Sequence, residues 1–287
     1  LANRAAELED DYAEQPGSQH RLVLQNVIVR SPITNEVILR NLSLTANAGE
    51  VIEINGLSSQ GKTVLLETIL GMWTPGAGSI LINGRHASRL TDTEARQLLG
   101  YAPETPGFVA GTIEENISGF EIDPDPEAVG LAARRARMHA AISSLPDGFK
   151  TEIDPRGTGM STFERYQLSL ARAFYGNPQI LLIDQLDSDM LVRIPKKLKQ
   201  TLVAMKETGT TIILASREPL NQPYIDRRFE LKDGKLTEVG RSVASSNQNR
   251  KLEAQKQAAA ADKRAHVSVV RETASKDADT SPKVARR

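Results

Sequence analysis

The chain has 287 residues, 39% of them hydrophobic, enough for one large domain or one domain with subdivisions and tails. Lys+Arg and Asp+Glu balance at 36 each, so charge gives no reason to place nucleic acid or an acidic surface among the partners. The absence of cysteine excludes disulfides, thiolate zinc sites and cysteine nucleophiles and fits a reducing compartment, and no apolar run approaches the ~18 residues of a membrane-spanning helix.

Residues 1–20 are polar and acidic and close on Pro16-Gly17, and Leu1 to Gly17 lacks the basic-then-apolar order of a signal peptide; 1–20 reads as a short helix or linker. Arg21 to Asn26 and Val37 to Leu44 alternate apolar and polar residues around Ser31-Pro32, the pattern of antiparallel strands. Val51 to Asn55 is a strand running straight into Gly56, helical periodicity follows from Lys62 to Leu70, and Ser79 to Ile82 is a strand ending in the Asn83-Gly84 turn. Trp73, after that helix, reads as core. Between Pro106 and Tyr175 the stretches Glu127 to Leu145 and Phe163 to Phe174 are helical in pattern, which makes about 106–175 a helical subdomain.

Ile180-Leu181-Leu182-Ile183 is short and wholly apolar, as a strand buried on both faces is. A helix from about Ile194 to Glu207 separates it from a second such run, Thr210 to Ala215, and this alternation predicts a parallel sheet with helices on its faces. From Arg241 to Arg287 the chain has 11 basic and 5 acidic residues and little that forms a core, so 241–287 is expected to be a basic, disordered tail with at most one helix, about 249–264. The four histidines, His20, His86, His139 and His266, share no metal-ligand spacing.

Gly56-Leu57-Ser58-Ser59-Gln60-Gly61-Lys62-Thr63 matches G-x-x-x-x-G-K-[ST] between a buried strand and a helix, the context a phosphate-binding loop needs. The glycines let backbone N–H groups converge on phosphate, and the helix N-terminus adds partial positive charge. Lys62 is placed for the β- and γ-phosphates, Thr63 offers a hydroxyl to Mg²⁺, and Asp184, ending an apolar strand, is placed either to hold the same ion directly or through water or to cap a loop. The expected ligands are ATP and Mg²⁺.

With these elements in hand, residues 21–240 resemble the nucleotide-binding domain of an ATP-binding cassette (ABC) exporter, most closely those of type I protein secretion. The resemblance rests on the loop and on Gly100-Tyr101-Ala102-Pro103-Glu104, Gly111-Thr112-Ile113-Glu114-Glu115-Asn116-Ile117, Leu145-Pro146-Asp147-Gly148 and Leu170-Ala171-Arg172-Ala173-Phe174-Tyr175-Gly176-Asn177-Pro178. It implies an α/β P-loop NTPase with a RecA-like parallel-sheet core, an antiparallel β lead and a helical subdomain. It also implies a second nucleotide-binding domain as homo- or heterodimer partner, and a membrane domain upstream of Leu1 or on a separate subunit. The implied location is the cytoplasmic face of the inner membrane.

The same resemblance marks departures. The family's Leu-Ser-Gly-Gly-Gln signature is here Met160-Ser161-Thr162-Phe163-Glu164, with Ser161 retained as a nucleotide contact and with Thr162 and Phe163 expected to crowd the phosphate. The water-polarising glutamate is Gln185, the switch histidine is Arg217, the Mg²⁺-sensing glutamine is Glu104, the adenine-stacking aromatic is Ser31 and the D-loop aspartate is Leu191. An amide accepts no proton from water, and losing a general base costs about 10²- to 10⁴-fold in rate. Grip residues are intact while water-activating ones are altered, so the expectation is a subunit that binds ATP and hydrolyses it slowly or not at all. The alternatives are a regulatory or structural pseudo-ATPase, and an active ATPase in which Glu104, otherwise a Mg²⁺ contact or a surface residue, substitutes as base.

Overall fold

The structure, a computed structural model, describes residues 20–185, 196–220 and 222–241. Strand β1 (His20–Arg30) turns at Ser31-Pro32 into the antiparallel β2 (Val37–Asn47), the Ser31 hydroxyl accepting from the N–H groups of Ile33 and Thr34. In β1 the inward residues are Leu22, Leu24, Val27 and Val29; their spacing slips by one at Asn26 (φ 50), where the register with β2 shifts and every later apolar residue is kept inside. Strand β3 (Val51–Asn55) leads through the glycine loop into helix α1 (Lys62–Ile69), and β4 (Ala77–Ile82) and β5 (Arg85–His86) complete an antiparallel sheet of order β2-β1-β4-β5.

Helix α2 (Asp92–Leu98), closed by a Thr91/Glu94 capping box, delivers the chain to β6 (Leu99–Ala102). The strand pair β7 (Gly111–Thr112) with β8 (Glu152–Ile153) frames helices α3 (Ile113–Ser118), α4 (Pro126–Arg135) and α5 (His139–Ser143), and α6 (Thr162–Phe174) follows. The helix expected over 127–145 is therefore two helices: Arg137 takes a left-handed φ of 64, which no helix interior tolerates, and the chain restarts at His139. Strand β9 (Ile180–Ile183) and helix α7 (Lys196–Glu207) precede β10 (Thr211–Ser216), β11 (Arg227–Lys232) and β12 (Lys235–Arg241).

The six-stranded sheet runs β12-β11-β3-β10-β9-β6, with β11, β3, β10, β9 and β6 mutually parallel along the order. Alternate residues of its central strands feed two cores on opposite faces. Ile52, Ile54, Leu182 and Ile213 join helix α1 and the antiparallel lead, whereas Val51, Leu181, Ile183, Ile212 and Leu214 join α4 and α6. Trp73 packs at the edge of the α1 core with its indole N–H on Glu67 at 2.8 Å, the core role expected of it. The chain divides at Gly240 into two units; of the expected tail 241–287 only Arg241, the end of β12, is described, and its helix at 249–264, the linker to residue 19 and the start of the helix expected from Ile194 lie outside the described residues.

Arg227, buried at the head of β11, ties the lead to the sheet. Its guanidinium donates to Thr45 O at 2.7 Å on β2, to Glu50 at 3.3 Å and to Glu238 on β12 at 3.1 and 3.0 Å. Replacing it with alanine removes both ion pairs and the bond to Thr45 O from a buried site, and we expect Arg227→Ala to lower unfolding free energy by about 2–4 kcal/mol in urea titration, moving the midpoint with little change in slope.

Candidate functional site

The glycine loop sits at the carboxyl end of β3, and its shape is set by what surrounds it. A Cβ on Gly56 would collide with the Leu231 carbonyl of β11, and Gly61 takes φ 96 as the cap of α1, so neither position tolerates a side chain. Gln60 Oε1 accepts from the N–H of Asp233 at 2.6 Å, anchoring the loop to the β11–β12 turn. Leu57 stands exposed and Ser59 is left-handed at φ 65, so the segment from Leu57 to Gln60 arches outward over the helix end. The buried Lys62 ammonium donates to Gly56 O at 2.6 Å and Leu57 O at 2.9 Å, beneath the arch.

Thr63 and Asp184 meet although 121 residues apart, the threonine hydroxyl donating to Asp184 Oδ2 at 2.7 Å. The other oxygen, Oδ1, is buried without a hydrogen-bond partner among the described residues. Burial pushes the Asp184 carboxyl above the ordinary carboxylate range; the Thr63 hydroxyl opposes this, the Glu104 charge adds to it, and Lys62 opposes it. A buried carboxylate with one idle oxygen beside a hydroxyl is an oxygen-only donor pair that suits a hard divalent cation, so these residues fit Mg²⁺.

The three altered positions Glu104, Gln185 and Arg217 also converge, each just beyond a parallel strand: β6, β9 and β10. Arg217 Nη2 donates to Glu104 Oε1 at 3.3 Å, both side chains about half exposed. The Gln185 amide bridges the pair. With its oxygen toward the guanidinium it accepts from Arg217 Nη2 at 2.7 Å and from Nε, and its nitrogen donates to Glu104 Oε2 at 3.3 Å. Gln185 adopts φ 58, which turns the chain off the strand axis at this point.

Residues 39–187, just over half of the chain, match the ABC transporter family profile. The chain belongs to the ABC transporter family. The type I secretion system ATP-binding protein PrsD of Rhizobium meliloti (strain 1021) is 28% identical over 225 residues, 78% of this chain and 39% of PrsD. ABC transporter B family member 1 of Arabidopsis thaliana is 32% identical over 218 residues, 76% of this chain and 17% of that protein. A bacterial Atm1-family ABC exporter with ATP bound superposes with a TM-score of 0.67 at 25% identity, covering 91% of this chain and 46% of that one. The chain spans less than half the length of these curated relatives. Its architecture is the family's ATPase domain, with the P-loop, the parallel core and the antiparallel lead where the sequence placed them.

At the family's signature position, Ser161 caps α6. Its hydroxyl accepts from the Glu164 N–H at 3.2 Å, and the Glu164 carboxylate accepts from the Ser161 N–H at 2.8 Å and hydroxyl at 2.7 Å. These bonds, the Ser161 hydroxyl first and its backbone N–H second, lower the Glu164 pKa and keep it ionised. Of the two residues expected to crowd the phosphate, Thr162 is exposed and Phe163 is partly buried against the α6 core. Ser161 bonds within its own helix and makes no hydrogen bond to the P-loop cluster. Ser31 forms the β1–β2 turn described above, and Leu191 lies outside the described residues. The Gln60–Asp233 contact had no motif to announce it; the signal was the Asp233-Gly234 dipeptide between alternating runs, a hairpin mark.

A carboxyl held above its unfolded value of 3.8 favours folding below that pH, and the contribution is lost as pH rises through the folded pKa. The buried Asp184 therefore costs stability wherever its carboxyl is ionised. In Mg²⁺-free buffer at pH 7 we expect Asp184→Asn to melt no lower than wild type, by differential scanning fluorimetry. With Mg²⁺ present, calorimetry is expected to show ATP binding weakened by about tenfold or more and no longer sensitive to EDTA.

Proposed function

We propose that the chain is the ATP-binding domain of an ABC exporter of the type I secretion kind, coupling Mg²⁺-ATP binding to transport through a membrane domain and hydrolysing ATP slowly or not at all. The observation that supports this best is the contrast between two neighbouring clusters. Lys62, Thr63 and Asp184 form a preorganised grip, whereas the position of the water-polarising carboxylate holds the amide of Gln185, bridged to Arg217 and Glu104.

In this reading Lys62 leaves the Gly56 and Leu57 carbonyls for the β- and γ-phosphates, the loop N–H groups and the α1 N-terminus hold the remaining phosphate oxygens, and Thr63 with Asp184 holds Mg²⁺. The metal would neutralise charge shared between β- and γ-phosphate oxygens. Arg217, at the switch position, is a permanent cation aimed at the same edge. Glu104 spends its carboxylate on Arg217 and Gln185, which favours a charge-holding role over that of a substitute base. The location proposed is the cytoplasmic face of the inner membrane, with a second nucleotide-binding domain and the membrane domain as partners. The names of PrsD and of the Atm1-family exporter support that assignment.

Calorimetry is expected to show Mg²⁺-ATP binding that Lys62→Ala abolishes, with steady-state phosphate release about 10²- to 10⁴-fold below that of a domain with a carboxylate at position 185. Turnover at ordinary exporter rates, abolished by Lys62→Ala, overturns the proposal. Because Arg217 and Glu104 surround the position, Gln185→Glu alone is expected to restore little; combined with Glu104→Gln and Arg217→His it is expected to raise phosphate release by about tenfold or more.

A further inference from the structure

Strand β3 reads Val51-Ile52-Glu53-Ile54-Asn55, and the charge in its middle is fully buried. Glu53 has no part in the grip or in the Gln185 cluster. Register explains where it points. Leu214 of β10 and Arg228 of β11 are its direct partners in the parallel sheet, and Ser216, two residues past Leu214, lies on the same face. Accordingly Glu53 Oε1 accepts from the Ser216 hydroxyl at 2.9 Å and the Leu220 N–H at 2.5 Å, while Oε2 accepts from Arg228 Nε at 3.0 Å. Arg228 Nη2 returns to Leu220 O at 3.0 Å, so the ion pair holds both ends of the Leu220 peptide environment. The same Ser216 accepts through its carbonyl from the Gly56 N–H at 3.2 Å.

We infer that Glu53, paired with Arg228, is a positioning residue that fixes the Ser216–Leu220 segment and thereby the reach of Arg217 between the Glu104–Gln185 cluster and bound phosphate. The segment leaves β10, and its two ends are fastened to one buried carboxylate while Arg217 between them is half exposed. A loop clamped at both ends holds its middle residue at a defined distance from the adjoining Gly56 backbone. Burial, and after it the charge of Glu53, also push the Tyr224 phenol up to about 12. A buried ion pair can be exchanged for apolar residues of similar size with little loss of stability, so its persistence here is better accounted for by geometry than by stability.

This inference rests on the reading of Arg217 as a γ-phosphate contact, and the test separates the two. The variant is Glu53→Met with Arg228→Met in the full chain, which removes the pair without stranding a charge; Ser216→Ala is a milder second variant. Hydrogen exchange of the Ser216, Arg217, Glu218 and Leu220 amides, without nucleotide, is expected to quicken in the double variant while the melting temperature stays near wild type. The ratio of ATP to ADP affinity is expected to fall about tenfold in Arg217→Ala, similarly in the double Met variant, and no further when the two are combined. Unchanged exchange at 216–220, or a wild-type ATP/ADP ratio in the double variant where Arg217→Ala loses it, overturns the inference alone. A wild-type ratio in Arg217→Ala itself overturns the phosphate-contact reading and the inference with it.

Discussion

Strands β3, β9 and β10 are buried on both faces, and this constraint decides where polar chemistry can sit. Side chains along such strands must pack against one of the two cores, so groups meant to meet a ligand are displaced to the strand ends. In a parallel sheet all carboxyl ends lie on one edge. Gly56 follows β3, Asp184 and Gln185 follow β9, Arg217 follows β10 and Glu104 stands two residues past β6. The register that pairs Ile183 with Leu214 and Ala102 brings these sequence-distant residues within hydrogen-bond reach. The convergence is thus a consequence of apolar strand packing before it is a matter of any one motif.

The electrostatics of that edge are arranged in two layers. Nearest the sheet, Lys62 and Asp184 are buried and use loop carbonyls and the Thr63 hydroxyl as partners. Farther out, Arg217 and Glu104 are half exposed and face each other across the Gln185 amide. Solvent screens the outer pair, so its attraction is worth little by itself, and a phosphate oxygen able to make a charge-assisted bond to Arg217 competes on favourable terms. The neutral amide between them accepts from the guanidinium and donates to the carboxylate, a task a glutamate at 185 would perform on one side only.

Much of this was legible in the sequence where the signal is local. The glycine loop announces itself within eight residues, and Ile180–Ile183 is apolar throughout, so the grip and its strand were readable without coordinates. The misses are non-local or depend on one backbone angle. Nothing local distinguishes the helical run at 127–145 from the two helices that the left-handed Arg137 makes of it. The Arg217–Glu104 contact spans 113 residues, and the resemblance identified both positions as altered without implying that they touch. Glu53 is a different kind of miss: a carboxylate inside an apolar strand is a visible anomaly, but its partners Ser216, Leu220 and Arg228 emerge only once the strand order is known.

The signature helix completes the picture from the opposite side. A helix N-terminus ordinarily offers free N–H groups and partial positive charge to an anion. At α6 part of that offer is used internally: the Glu164 carboxylate accepts from both the backbone N–H and the hydroxyl of Ser161, the Ser161 hydroxyl accepts from the Glu164 N–H, and the lowered pKa of Glu164 keeps it charged at neutral pH. Under the proposed dimeric arrangement, this end of α6 is the surface that would face the partner's nucleotide, and it would present a carboxylate there. Under that proposal the altered positions beyond the strands and the capping carboxylate on α6 would act in the same direction. The first would withhold a base from the chain's own ATP, and the second would place a carboxylate at the helix end facing its partner's.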